Sequence, residues 1–65
     1  MHSEIRNLIN TSNMKYKVTY LAHLMATAFV RVADDAILYS NENEDYVRIY
    51  AKGFCVAKGE RFFIE

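Results

Sequence analysis

The sequence predicts a small single α+β domain, and three observations carry that prediction. The chain has 65 residues, so it can build only one thin core, burying about 60% of the surface its unfolded form exposes. Apolar residues make up 52% of it, with five Tyr and four Phe, far from the polar, charge-unbalanced composition of disordered chains. Apolar side chains recur at helical spacing in the first half and in short, turn-bounded runs in the second, the respective signatures of helices and strands. No linker, repeat or low-complexity tract divides residues 1–65, so they read as one domain.

Ser3 is a suitable N-cap, and Glu4 stands where the helix dipole favours an acid. Ile5, Leu8 and Ile9 then fall at i, i+3 and i+4, which predicts a short amphipathic helix from Ser3 to about Asn10. Thr11-Ser12-Asn13 ends it, because each side chain competes for local backbone hydrogen bonds. From Lys15 to Tyr20 the chain alternates strictly, with Tyr16, Val18 and Tyr20 on one face, as in a half-buried strand. Leu21, Leu24, Met25, Ala28, Phe29 and Val32 form the full apolar stripe of a helix, which predicts a second helix over 21–33.

That second helix has a competitor. Phe29 to Val32 has strand propensity, and Asp34-Asp35 suits a helix C-terminus badly. The alternative is a mostly β small barrel with an N-terminal helix, in which Ala26 to Val32 pairs with Ile37 to Ser40 across Ala33-Asp34-Asp35-Ala36. The helix is preferred because His23-Leu24-Met25-Ala26 lacks the usual residues of a tight hairpin. The second half reads as a short antiparallel β-meander. Its strands are Ile37 to Ser40, Tyr46 to Ala51, Phe54 to Ala57 and Arg61 to Ile64, separated by Asn41 to Asp45, Lys52-Gly53 and Lys58-Gly59-Glu60.

Eight basic and eight acidic residues leave a formal net charge of zero, without the uniformly basic field that advertises nucleic-acid or anionic-membrane binding. The longest apolar helical candidate, Leu21 to Val32, is interrupted by His23 and Arg31, so no membrane span is expected. Cys55 has no partner for an internal disulfide, and MHSEIRNLIN lacks the apolar core of a secretion signal. A cytoplasmic setting follows.

Chemistry that needs converging side chains finds little support. His2, His23 and Cys55 show no metal-ligand spacing, so no metal site is expected, and no motif implies a cofactor. A Cys55 nucleophile with His23 as base would need a cleft and an oxyanion site. The simpler reading makes Cys55 a small buried hydrophobe in a strand and His23 a surface residue. Gly53 and Gly59 stand alone, as turn glycines rather than a phosphate loop. No residue is assigned a catalytic role, and the chain is not expected to be an enzyme.

Two features remain as candidate binding groups. Asp34, Asp35, Glu42, Glu44 and Asp45 put five carboxylates within twelve residues, and the run Glu42, Glu44, Asp45 reads either as a solvated hairpin loop or as an anionic patch that docks on a basic partner. In the next segment Tyr46, Arg48, Tyr50 and Lys52 fall on one face of the expected strand, with Val47, Ile49 and Ala51 facing the core. Lys15 and Lys17 could extend the cationic face. Tyr and Arg are the residue types enriched in protein hot spots, and the same alternation could stack bases and hold phosphates.

Zero net charge weighs against nucleic acid, whose affinity rests on phosphate neutralisation. The sequence therefore predicts a protein-binding module, a regulator or inhibitor of a larger partner, with single-stranded nucleic-acid binding as the alternative. Short, proline-free chains of this kind resemble, in general type only, accessory proteins of phages and other mobile elements, many of which modulate a host protein. The thin core also predicts a homodimer or larger assembly, burying Phe62, Ile64 or the helix stripe between copies.

Overall fold

The computed structural model describes residues 14–65, so the helix expected from Ser3 to Asn10 lies outside the described residues. In chain order the elements are β1 (Tyr16–Leu21), β2 (Ala26–Arg31), β3 (Ala36–Asn41), α1 (Glu44–Lys58) and β4 (Phe62–Ile64). They form a four-stranded mixed sheet in the order β3-β2-β1-β4. The first three strands are an antiparallel meander, and β4 joins β1 in parallel with Tyr16 opposite Phe62. The protein is thus broadly α+β. The sheet is open, not the small barrel of the alternative reading, and α1 packs across all four strands on one face.

β1 follows its alternation: Tyr16 and Val18 are buried beneath α1. The helix expected over 21–33 does not form. Leu21 ends β1, residues 22–25 make a turn, and Ala26 to Arg31 is β2. This hairpin needs no Asn-Gly because its loop is four residues long. Leu24 N–H donates to the Leu21 carbonyl and Met25 N–H to that of Ala22, each at 3.1 Å, and Met25 takes the left-handed conformation at φ 52°. The β2–β3 loop repeats the device, with Asp35 left-handed at φ 58° and Arg31 paired with Ala36 across the hairpin. Here the pairing of Ala26–Arg31 with the Ile37 strand is the one the competing reading describes.

β2 is buried on both faces from Ala26 through Val30. It carries no period-two alternation, and an unbroken apolar run can pass for a helix stripe. The pairs Phe29–Tyr39 and Val30–Ile37 leave Leu38 as the extra residue of a bulge, half-buried against the core. Bulges commonly re-aim a side chain in this way.

The expected strands Tyr46 to Ala51 and Phe54 to Ala57 are instead one helix, α1, running through Lys52-Gly53 without a turn. Its ends explain why. The Asn43 side chain accepts from Asp45 N–H at 2.9 Å, Glu44 and Asp45 occupy the first turn, and Lys58 occupies the last. All three favour the helix dipole or satisfy its free N–H groups. Gly59 closes the helix at φ 68°, and Glu60 N–H reaches back to the Cys55 carbonyl at 2.9 Å, the usual αL helix stop. Val47, Ala51 and Cys55 form the buried stripe.

Phe29 is fully buried at the centre of the core. Its ring lies 5.3 Å from Tyr16, 5.2 Å from Phe54, 5.9 Å from Tyr50 and 6.3 Å from Phe62, and Tyr39 stacks on Tyr50 at 4.6 Å. One aromatic cluster therefore ties β1, β2, β3 and β4 to the helix. Such pairs add about 0.5–1.5 kcal/mol each beyond the area they bury.

Asp34 holds the β2–β3 turn. Its carboxylate accepts from Arg31 Nε at 2.9 Å and Nη2 at 2.8 Å, and from Ala36 N–H at 3.2 Å. The Arg31 hydrogen bond, then that of Ala36, lowers its pKa to about 2. A carboxylate depressed in the folded state contributes its stability above the ordinary carboxylate pKa and loses it as pH falls through the folded value. NMR titration should therefore place the Asp34 transition near pH 2, and Arg31→Met should move it up toward the ordinary value. An unshifted titration in the parent protein would contradict the pairing.

Candidate functional site

A helix turns by about 100° per residue, so residues that share one face of a strand are separated on α1. Tyr46 and Tyr50 lie within about 40° of each other, whereas Arg48 lies about 160° from both. The single face of Tyr46, Arg48, Tyr50 and Lys52 does not exist. Tyr50 leans onto the core, stacked on Tyr39. Arg48 is tied one turn back to Glu44 at 2.9 Å. Lys52 makes no ion pair among the described residues. The other cations do not join it, since Lys15 pairs with Glu60 at 3.0 Å and Lys17 with Glu65 at 3.2 Å.

The acidic run is not a hairpin loop either. Asn41 anchors it: its amide nitrogen donates to the Tyr39 hydroxyl at 3.2 Å, and its side-chain oxygen accepts from Asn43 N–H at 2.8 Å. Glu42 is exposed just ahead of the cap, while Glu44 and Asp45 form the first helical turn. Of the expected anionic patch, Glu44 is committed to Arg48, and Glu42 and Asp45 remain exposed.

Ile49, read as a core residue, points outward. With Tyr46 and Val56 it makes an exposed apolar stripe in which the three side chains are 56, 68 and 73% exposed for Tyr46, Ile49 and Val56. Counted from Tyr46 they stand at 0, 3 and 10, with Gly53 between at 7, and fall within an arc of about 80°. Asp45 and Lys52 border the stripe on one side. Helical spacing applied to residues 44–58 would have found it, once the capping residues Asn43 and Gly59 were taken as the boundaries.

Gly53 sits mid-helix on this stripe, and a Cβ placed there would meet no atom within 4 Å. Among the described residues, no packing contact requires the glycine. Cys55, by contrast, is buried as the sequence predicts, though in the helix and not in a strand. Burial, and next the charge of Glu60, pushes its thiol pKa up, which removes it further from nucleophile chemistry. His23 is exposed in the β1–β2 turn. Phe62 packs against the core, and Ile64 is exposed at the end of β4. Among the described residues no three His, Cys or carboxylate groups come together to hold a metal, and no helix is long and apolar enough to cross a membrane.

No protein-family model matches this chain, and neither a curated protein nor a solved structure does.

The two glycines should respond with opposite signs. Gly53→Ala adds a helix-favouring methyl in open space and should raise stability by about 0.5–1 kcal/mol in urea unfolding. Gly59→Ala forces a side chain into the left-handed cap and should lower it by about 1 kcal/mol. A loss at Gly53 would mean that its surroundings are more crowded than described above.

Proposed function

We propose that the protein is a small protein-binding module, of the regulator or inhibitor type, whose partner docks on the outer face of α1. The observation that carries this reading is the stripe Tyr46, Ile49 and Val56, more than half exposed on a helix whose opposite side is the core. Burying an aliphatic side chain of this size is worth about 1.5–3 kcal/mol. A short helix presenting such anchors fits a groove on a partner. Gly53 supports the reading because it lets another backbone approach closely, at a cost in helix stability that the fold does not require. Asp45 and Lys52 would sit at the rim, where charge steers association more than it adds affinity. No observation favours the single-stranded nucleic-acid alternative, since the aromatic and cationic side chains it needs point away from each other.

Replacing Tyr46 by a benzophenone-bearing residue, in the cells from which the chain comes, should give a discrete protein adduct on irradiation. The same probe at Ser40, on the opposite face of the sheet, should not. Ile49→Asp should reduce the adduct at least about tenfold while leaving the circular dichroism spectrum unchanged. Equal adducts from both probe positions, or an adduct with nucleic acid at Tyr46, would overturn the assignment. A self-adduct would identify the partner as a second copy.

A further inference from the structure

The stripe on α1 is spaced the same way in both directions. Tyr46, Ile49, Gly53 and Val56 follow one another at intervals of three, four and three residues. Tyr46 and Val56 therefore stand equally far from the level of Ala51, and so do Ile49 and Gly53. Each of these pairs joins a larger side chain to a smaller one. The inner pair sets the exposed Ile49 against a glycine with open space where its Cβ would be. A groove on an unrelated partner asks for anchors along one face, but it sets no relation between residues on either side of a centre. A two-fold axis does set one, because in an isologous contact residue i meets j and j meets i.

We propose that the stripe pairs with the same stripe of a second copy, antiparallel about a two-fold axis at the level of Ala51, with Ile49 of each chain seated on Gly53 of the other. The inference rests on the reading of this face as a docking surface, and it names the occupant taken when no larger partner is present. In this register Tyr46 packs beside Val56 at both ends. A parallel pairing would set Ile49 on Ile49 and Gly53 on Gly53, crowding one level and leaving a gap at the next. Charge agrees with the antiparallel choice, since the two-fold brings the flank carrying Asp45 and Lys52 against its own copy. Asp45 then stands about 7.5 Å along the axis from Lys52 of the second copy, within reach of a lysine side chain. The two Lys52 side chains start near the axis and extend away from each other toward these acids. The stripe lies opposite the side of α1 that forms the core, so the copies stack as sheet, helix, helix, sheet. One helix face buries less than the roughly 800 Å² per partner of a standard interface. The dimer is accordingly weak, in the micromolar range, and a larger partner with a deeper groove displaces it.

The test is sedimentation equilibrium of the purified full chain from about 10 μM to about 1 mM, over which monomers should pass into dimers. Gly53→Ile should weaken the dimer at least about tenfold, because the two-fold repeats the crowding at both seats. Association through apolar area alone would be strengthened by the same change. The double substitution Ile49→Gly with Gly53→Ile exchanges knob and seat, and should bring dimerisation back to within about threefold of the parent. Circular dichroism checks that each variant keeps its helix, and the side chain added by Gly53→Ile stands in open space in the single chain. A parent chain that stays monomeric up to about 1 mM would overturn the proposal, while the docking reading would still stand or fall by its own crosslinking test in cells. A dimer that Gly53→Ile leaves unchanged or tightens, or that the double substitution fails to restore, would overturn it as well.

Discussion

The ring of Phe29, closed in by Tyr16, Tyr50, Phe54 and Phe62, joins sheet to helix and sets what every other element does. A chain this short has few large side chains to bury, and it spends six of its nine aromatic residues on one cluster. The consequence is directional. With Phe54 and Tyr50 held over β2, the helix turns Val47, Ala51 and Cys55 into the core beside them. Aliphatic side chains outside that arc are left in water because the sheet is too small to cover more.

The core does not require the exposed stripe of α1 to be apolar. Tyr46, Ile49 and Val56 could have been polar without disturbing Phe29, Val47 or Ala51. Their presence as large apolar groups on a helix already held by caps at Asn43 and Gly59 is the observation on which the proposed docking role rests. The acidic residues once removed from a loop and placed in the first turn serve the helix dipole first. Glu44 does so while paired with Arg48, leaving Asp45 and Lys52 as the charged border of the stripe.

Much of the fold is legible in the residues, and the rest is hidden for identifiable reasons. The alternation of Lys15 to Tyr20, the run at Ile37 to Ser40 and the end strand before Glu65 all correspond to strands. Two stretches mislead because they satisfy both periods. Residues 46–51 alternate Tyr-Val-Arg-Ile-Tyr-Ala as a strand would, yet Val47, Ala51, Phe54 and Cys55 also fall at helical intervals; the caps at Asn43 and Gly59 decide between them, and Lys52-Gly53 only imitates a hairpin. Residues 21–33 fail in the opposite direction. β2 is buried on both faces, so it loses its alternation, and Met25 occupies a left-handed position that favours glycine or asparagine over methionine. The candidate site depends on the first of these stretches: a strand puts Ile49 in the core and Arg48 on a common face with Tyr46, and the helix reverses both.

The central claim is that Phe29 couples helix to sheet, and Phe29→Ala examines it most directly. Urea unfolding followed by helix circular dichroism and by tyrosine fluorescence should show a loss of about 3–5 kcal/mol, most of the stability available to such a domain, with both signals changing together. A loss under about 1 kcal/mol, or a helix signal that survives while the tyrosine environment collapses, would contradict it.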